Sequence, residues 1–233
     1  MEKVGFIGSY DKTDLMLYLG KILTAVGKKV LIVDNTRMQK AKYIVPVINP
    51  TRSYVTEFEK MDVSVGFSNF EDIKQYLGVS EDKELEYDFC FVDVDSIENF
   101  ENFGMNEAKK KYFVTAFDLY SLKKGLEILN NFLQPIELIK ILYSKEMSKE
   151  EDDYLNYISL GTKAVWNEEY RFYIPMDSGD QSVIAENQRL SKLALRKLSS
   201  GYRNSLYYIA EDILGEKMGR DLKKAFKILE KEV

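Results

Sequence analysis

The sequence predicts an α/β protein in which helices flank both faces of a mostly parallel β-sheet. Short apolar segments alternate along the chain with longer segments that show the 3.6-residue spacing of amphipathic helices. A strand, a helix and a second strand follow one another at the start of the chain, and such a unit implies parallel strands covered by the helix. No linker-like tract or shift in composition divides residues 1–233. We therefore expect a single domain.

The first unit is indicated by three adjoining segments. Residues 4–8 form a short apolar run closed by glycine, which is typical of a buried strand. Residues 12–26 carry apolar side chains at helical spacing, and Gly27 follows as a stop signal. Residues 30–33 are again continuously apolar, which predicts a second buried strand.

The next part of the chain gives weaker patterns. Residues 43–48 predict a strand, residues 54–60 a short helix, residues 63–67 a strand and residues 70–77 a helix. The region 36–66, which contains Pro46 and Pro50, is the hardest part of the chain to assign to elements. It is expected to carry what is particular to this protein.

Later elements follow from the same spacing rules. We expect strands at 87–93, 112–115, 136–142 and 171–174, and helices at 119–132, 148–160, 182–198, 202–214 and 218–232.

Composition limits the chemistry that the chain can perform. Apolar residues make up 45% and charged residues 30%, the balance of a folded protein. Histidine is absent, which excludes His-based catalytic triads and nearly all zinc sites. Cys90 is the single cysteine, so an internal disulfide is excluded and a reducing compartment is indicated. The apolar run at 4–7 is too short for a signal peptide or a membrane span, and we expect a cytoplasmic protein.

The junction between the first strand and the first helix has features of a phosphate-binding loop. A helix start offers free N–H groups and a partial positive charge, glycines allow close approach, a lysine neutralises phosphate oxygens, and a Ser/Thr hydroxyl ligates magnesium. The pattern G-x-x-x-x-G-K-[ST] requires glycine at positions 6 and 11, which are Phe6 and Asp11. The junction reads Gly8-Ser9-Tyr10-Asp11-Lys12-Thr13.

Asp11 is the departure with the clearest physical consequence. Its carboxylate is expected to lie among the N–H groups that a phosphate would use, and to repel that phosphate. It is also a favourable N-cap residue, worth about 1 kcal/mol to the helix. The Lys12-Thr13 pair can accordingly be read as an ordinary helix start or as the remnant of a phosphate site.

The order of landmarks along the whole chain resembles the MinD/ParA branch of P-loop NTPases, the SIMIBI class, which includes CpaE/TadZ-like pilus-assembly proteins. Gly8, Lys12 and Thr13 match three places of the family pattern K-G-G-x-G-K-T. The signature lysine, which in the family reaches across a nucleotide-sandwich dimer, falls at Ile7, and a glycine falls at Asp11. The resemblance therefore implies a degenerate Walker A motif.

Three later segments extend the resemblance. The second strand ends in Asp34, but the second acid of the family's D-x-D pattern is Thr36. Asp93 follows four apolar residues, as in a Walker B strand, and Pro175 belongs to a segment similar to the family's I-P-x-D near the adenine. Asp34 and Asp93 can also be read simply as polar strand ends.

The resemblance implies which residues a nucleotide would use. Lys12 would contact the phosphates, Thr13 would ligate magnesium, and Asp93 would contact the metal through water. The residues predicted for this site are Gly8, Ser9, Asp11, Lys12, Thr13, Asp34, Asp93 and Pro175. Because the loop and the second acid depart from the pattern, we expect ATP and Mg²⁺ to bind weakly or not at all.

Three functions are compatible with these features. The first is a non-enzymatic localisation or assembly factor for a cell-envelope machine such as a pilus or secretion system, acting with protein partners and as a homodimer. The second is a magnesium-dependent ATPase of the same family. The third is a ParA-like DNA-partition protein using a basic cluster, which would show salt-sensitive DNA retention; the net charge of −5 argues against it. The cluster comprises Arg189, Lys192, Arg196, Lys197 and Arg203.

The predicted terminal helix at 218–232 has an apolar face beside several lysines. Such a helix can lie on a membrane surface, which would place the protein at the inner face of the membrane. It can equally pack onto its own domain.

Overall fold

The computed structural model describes residues 1–48, 51–145 and 149–232. The strands are β1 Glu2–Ile7, β2 Val30–Asp34, β3 Tyr54–Phe58, β4 Met61–Val65, β5 Phe89–Val94, β6 Lys110–Ala116, β7 Ile136–Ser144 and β8 Ala164–Pro175. The helices are α1 Thr13–Ala25, α2 Ala41–Ile44, α3 Phe70–Leu77, α4 Ile97–Asn102, α5 Leu119–Asn130, α6 Lys149–Ile158, α7 Ser178–Arg189, α8 Ser200–Leu214 and α9 Gly219–Leu229. The predicted start of a helix at Ser148 lies outside the described residues.

These strands form one sheet in the order β3-β4-β2-β5-β1-β6-β7-β8. Every neighbouring pair is parallel except β3 and β4, which are antiparallel. The predicted mostly parallel α/β fold is confirmed. Because β1 lies between β5 and β6, the loop that follows β1 emerges near the centre of the sheet's carboxyl edge, where ligands bind in open parallel sheets.

Each face of the sheet carries its own apolar core. One core packs α1, α8 and α9 against the sheet, with Leu19, Leu206 and Phe226 among its members. The other packs α3 to α6 against the opposite face and includes Ile73 and Leu155. Helices therefore cover both faces, as continuously apolar strands require.

The structure corrects two elements in the region 36–66. Residues 43–48, predicted as a strand, contain the end of α2 followed by irregular chain. Residues 54–60, predicted as a helix, contain β3 and a turn. Tyr54 and Phe58 are buried and four residues apart, a helix-like spacing, yet β3 pairs with β4 through a turn at Glu59 and Lys60. Both turn residues have positive φ, as a two-residue hairpin with a type I′ turn requires.

The predicted helix at 182–198 is shorter than its apolar pattern suggested. α7 ends at Arg189, and Ser191 adopts a positive φ of 48°. Leu193, Leu195 and Leu198 are buried in irregular chain rather than on a helix face. Core packing, and not helical periodicity, therefore accounts for these leucines.

The terminal helix α9 buries its apolar face inside the protein. Leu222, Phe226 and Leu229 are at most 7% exposed and belong to the core that includes α1 and α8. The alternative in which the helix packs onto its own domain is the one observed. Within the described residues, none of the helices is both long and apolar enough to cross a membrane.

Truncating the apolar face of α9 is expected to destabilise the whole protein. Phe226→Ala removes a ring that packs edge-on against Tyr207, with ring centroids 5.3 Å apart. We expect the free energy of unfolding to fall by about 3–5 kcal/mol, as for other buried phenylalanines. Urea unfolding measures this change, and Ile228→Ala, at a side chain 67% exposed on the same helix, is the matched control. Equal, small losses in the two variants would contradict the packing of α9.

Candidate functional site

The sequence-predicted site residues converge at the carboxyl edge of the sheet. Asp34 and Asp93 are direct partners in the register of β2 and β5, and Asp93 lies beside Phe6 of β1. The loop 8–13 leaves β1 at the same edge and leads into α1. The structure therefore brings the loop and both acids into one cluster.

Gly8 fixes the path of the loop. Its φ is +140°, a conformation that L side chains rarely adopt, and a Cβ atom would lie 2.3 Å from the carbonyl oxygen of Val114 in β6. The next residue, Ser9, donates a hydrogen bond of 3.0 Å from its hydroxyl to the carbonyl of Ser121 in α5. The start of the loop is thus anchored to the central sheet and to α5.

Lys12 points inward and is bound by the chain's own groups. Its Nζ donates to the carbonyl of Gly8 at 2.6 Å and to that of Tyr10 at 3.1 Å. The same atom lies 2.9 Å from Oδ1 of Asp93, and both side chains are at most 5% exposed. All three contacts occupy donor positions that a phosphate would otherwise use.

Asp93 is a buried carboxyl with an altered acidity. Burial raises its pKa from 3.8 to about 7, although the ammonium group of Lys12 opposes the shift and Asp34 adds to it. The proton is therefore held more tightly in the folded protein than in the unfolded chain. By linkage, this group's contribution to stability is full below pH 3.8 and is lost as pH rises through about 7.

Asp11 occupies the start of α1. Its Oδ1 accepts a hydrogen bond of 3.1 Å from the backbone N–H of Thr13, and its Oδ2 is paired with Lys40. Lys40 Nζ also lies 3.1 Å from Asp14, which in turn accepts hydrogen bonds from the side chain of Gln188. A carboxylate of the protein thus takes the place at the helix N-terminus that is suited to an external anion.

Burial and charge pairing act in opposite directions on the pKa values of Lys40 and Asp14. Burial lowers the pKa of Lys40, but Asp14 and Asp11 outweigh that effect and the pKa is raised. Burial raises the pKa of Asp14, while Lys40 and Gln188 oppose the rise. The three charged side chains form a closed cluster, which we call the Lys40 clamp (Asp11, Asp14 and Lys40).

Asp34 accepts hydrogen bonds from the segment that follows β2. Its Oδ1 accepts from the N–H of Thr36 at 3.1 Å and from the hydroxyl of Thr36 at 2.7 Å. Its Oδ2 accepts from the N–H of Ala41 at 2.9 Å, at the start of α2. Burial raises the pKa of Asp34, and these hydrogen bonds oppose the rise. Both carboxylate oxygens are engaged in holding this turn.

Two small cavities flank the Lys40 clamp. One, of about 220 Å³, is lined by residues 9–13 of the loop together with Thr36 and Asp93. The other, of about 210 Å³, is lined by Tyr143, Pro175 and Gln188 among others. Tyr10, Asp11 and Lys40 line both cavities. Pro175 therefore lines a cavity that the Lys40 clamp also lines.

The arrangement does not fit a magnesium-bound triphosphate. The N–H group of Thr13 is directed at Asp11, and Lys12 Nζ is held by two carbonyls and Asp93. Each cavity is smaller than the roughly 300–1,000 Å³ typical of ligand pockets.

Sequence reasoning missed Lys40 and Gln188, both of which contact Asp14. They lie 26 and 174 residues from Asp14, in segments without a recognisable motif. No local signal in the sequence could have identified them, because only the tertiary fold brings them to the loop.

The predicted basic cluster is partly neutralised by neighbouring acids. Lys197 pairs with Glu186 at 2.8 Å, and Arg203 pairs with Glu230 at 3.2 Å. A lysine or arginine that is already paired releases fewer counterions when it approaches a DNA phosphate. The cluster therefore offers DNA less positive charge than the sequence implied.

No protein-family model and no curated protein sequence matches the chain. The chain does match solved structures over nearly its whole length. An ATP complex of McdA from Cyanothece aligns with a TM-score of 0.57 at 13% identity, covering 92% of this chain and 96% of that chain. MinD of Aquifex aeolicus aligns with a TM-score of 0.56 at 14% identity, covering 93% and 98%. A putative plasmid partition protein of Borrelia burgdorferi bound to AMPPNP gives 0.53 at 14%, covering 97% and 98%.

At these identities the likeness is one of fold. The coverage is nearly complete on both sides, so the shared fold extends over the whole sheet and its helices. The chain therefore has the MinD/ParA-type P-loop NTPase fold.

Proposed function

We propose that this chain is a localisation or assembly factor for a cell-envelope machine such as a pilus or secretion system, similar to CpaE/TadZ-like proteins. It acts through protein contacts at the inner face of the membrane, and its degenerate Walker A loop binds nucleotide weakly or not at all. The observation that carries the proposal is the occupation of the α1 N-terminus by Asp11, which accepts from Thr13 and pairs with Lys40.

The other departures support the same proposal. Ile7 stands where the family's signature lysine would stand, and it is fully buried in the core on the α3–α6 face. Thr36 stands in place of the second acid, and its hydroxyl donates to Asp34. The signature lysine and the second acid of the family pattern are therefore both absent from this site, which supports weak or no hydrolysis.

Four exposed apolar side chains near the loop support a role in protein binding. Met38 and Tyr43 are 80% and 81% exposed, and both line the cavity next to Lys12. Leu119 and Tyr120, at the start of α5, are 64% and 69% exposed, and the neighbouring Ser121 accepts from Ser9 in the loop. Exposed apolar side chains grouped in this way are typical of interaction surfaces. We call these four residues the apolar rim.

Calorimetry with ATP and Mg²⁺ tests the proposal. The wild-type chain is expected to bind Mg·ATP with a dissociation constant no tighter than about 1 mM, which corresponds to roughly −4 kcal/mol. Lys12→Ala is expected to leave that weak binding unchanged, because Lys12 is already held by Gly8, Tyr10 and Asp93. Nanomolar affinity for ATP in the wild-type chain would refute the proposal.

A magnesium-dependent ATPase of the same fold is the second candidate. The specific observation in its favour is the near-complete alignment with an ATP complex of McdA. This candidate requires the Lys40 clamp to open before a triphosphate can reach the α1 N-terminus. It predicts tight, magnesium-dependent binding that Lys12→Ala abolishes, so the same calorimetric experiment separates the two candidates.

A further inference from the structure

A groove of about 900 Å³ lies between β8 and α8. Its lining includes none of residues 8–13, all of which are described, so it is separate from the phosphate loop. Tyr170 and Phe172 line it from β8, and Tyr208 lines it from α8. Tyr170 is 47% exposed and Tyr208 is 56% exposed. We call this feature the edge groove (Lys145, Tyr170, Phe172, Tyr208, Glu211 and Glu216).

The walls of the edge groove are held in place at both ends. Near the end of β8, Ser205 Oγ of α8 donates to the carbonyl of Tyr173 at 2.5 Å. At the opposite end, Lys110 Nζ of β6 lies 2.7 Å from Asp212, which also accepts from the hydroxyl of Tyr112 at 2.5 Å. The positions of these contacts show that α8 runs antiparallel to β8. The ion pair also neutralises the charges of Lys110 and Asp212.

Direct addition of a further strand to this edge is disfavoured. The pairing of β8 with β7 shifts register after Leu138, and Asn167 Oδ1 accepts from the backbone N–H groups of Glu169 and Tyr170. Such a bulge interrupts the row of backbone groups that a new strand would need. A partner at this edge would therefore contact side chains of the groove rather than extend the sheet.

The two ends of the edge groove carry opposite charge. Glu211 and Glu216 lie at the C-terminal end of α8, where the helix dipole is also negative. Lys145 lines the other end, beside the N-terminal turn of α8, where the dipole is positive. Lys145 and Glu216 are both exposed. Two more basic side chains line the groove, but Lys109 pairs with Glu2 at 2.6 Å and Arg171 pairs with Asp152 at 2.5 Å. The remaining charged side chains make the groove acidic at one end and basic at the other, with aromatic side chains between them.

We propose that the edge groove binds a second copy of this chain, in a two-fold dimer whose α8 helices run antiparallel. A two-fold axis across α8 brings Glu216 of each copy to Lys145 of the other, so both charged ends are matched at once. The same axis lets Tyr208 of each copy enter the aromatic part of the opposite groove. Antiparallel α8 helices also place opposite dipole ends together. This contact does not depend on nucleotide or on the apolar rim.

Sedimentation equilibrium of the full chain, with several variants, tests the dimer. The wild-type chain is expected to be dimeric at micromolar concentration, and Tyr208→Lys is expected to weaken the dimer at least about tenfold by burying an unpaired charge. Tyr154→Lys, at a tyrosine 46% exposed on α6, is the matched control and is expected to remain dimeric. Tyr43→Lys, on the apolar rim, is also expected to remain dimeric. Circular dichroism establishes that each variant is folded.

A charge exchange tests the orientation without altering the aromatic wall. Lys145→Glu and Glu216→Lys are each expected to weaken the dimer, and the double variant is expected to restore it, because the exchanged charges again face opposite partners. A monomeric wild-type chain would overturn the proposal, as would a double variant weaker than either single one. A dimer lost in Tyr43→Lys but retained in Tyr208→Lys would also overturn it, while leaving the proposed function intact.

Discussion

Asp11→Gly is expected to raise the affinity of the chain for Mg·ATP by at least about tenfold, the equivalent of roughly 1.4 kcal/mol. The substitution removes the carboxylate that accepts from Thr13 and pairs with Lys40. Two like charges about 4 Å apart repel by roughly 4 kcal/mol near a protein surface, before screening by salt. Removing that repulsion and freeing the helix N–H group both favour a bound phosphate.

The stability of α1 should change little in this variant. Glycine replaces aspartate at a helix start at a cost of only a few tenths of a kcal/mol. Lys40 keeps its contact with Asp14, so the variant is not left with an isolated lysine. Thermal melts should accordingly be close to those of the wild-type chain, and any gain in affinity can be assigned to the loop.

Asp14→Asn tests whether Asp11 weakens ATP binding by occupying the helix N-terminus or only by adding negative charge near the loop. Asp14 belongs to the Lys40 clamp but does not contact the N–H group of Thr13. If only net charge near the loop mattered, both variants would gain affinity equally. We expect the gain in Asp11→Gly alone. Calorimetry with ATP and Mg²⁺ at one ionic strength makes the comparison, and an unchanged Asp11→Gly would mean that the loop does not exclude nucleotide through this carboxylate.

Sequence reasoning succeeded where one local pattern decides the structure. β1, α1 and β2 follow from apolar periodicity and the glycines that punctuate it, and parallel pairing follows because each strand is buried on both faces. The placement of Asp34 and Asp93 at one edge follows in turn, since the carboxyl ends of parallel strands meet there. These inferences needed no knowledge of distant contacts.

In the region 36–66 the same reasoning assigned two elements wrongly, because tertiary contacts override the local preference for helix or strand there. α2 starts where the N–H of Ala41 donates to Asp34, a contact that no spacing rule contains. The β3–β4 hairpin turns at Glu59 and Lys60, which lack the Asn-Gly or Asp-Gly signal of such turns. Lys21 also pairs with Glu59, at 3.0 Å, which holds the turn against α1.

The sequence predicted the role of Asp11 in the candidate site but not that of its partner Lys40. Asp11 was expected to obstruct a phosphate, and the structure places it at the helix start as a hydrogen-bond acceptor for Thr13. Its partner Lys40 lies 29 residues away along the chain. Long-range ion pairs have no fixed sequence spacing, so the Lys40 clamp could emerge only from the fold.

Lys12→Met is the second substitution with a large expected effect, and its cost should depend on pH. The side chain of Lys12 is 3% exposed and its ammonium group lies 2.9 Å from Asp93, whose pKa is already raised to about 7. Without the lysine, burial acts on Asp93 unopposed, and its pKa must rise further. In the variant, Asp93 has no lysine beside it. At alkaline pH its carboxyl must therefore either stay buried as an unpaired carboxylate or keep a proton that the wild-type carboxyl has lost.

At about pH 5 the carboxyl of Asp93 is protonated in both proteins, so Lys12→Met should cost only the lost contacts to the carbonyls, roughly 1.5–3 kcal/mol. As pH rises above about 7, the wild-type carboxyl ionises beside its lysine, whereas the variant keeps the proton. The cost should then grow by up to about 1.4 kcal/mol for each pH unit. Urea unfolding of both proteins at a series of pH values measures this growth directly.

Asp93→Asn identifies the group responsible for the pH dependence. An asparagine cannot ionise, so in a chain that already carries Asp93→Asn the cost of Lys12→Met should be the same at every pH. In the Asp93→Asn variant, Lys12 keeps the carbonyls of Gly8 and Tyr10 as acceptors, so this variant should still fold. If the cost of Lys12→Met were independent of pH in the wild-type background as well, Asp93 would have to be neutral or solvated, and the ion pair would not be what holds Lys12 inside the loop.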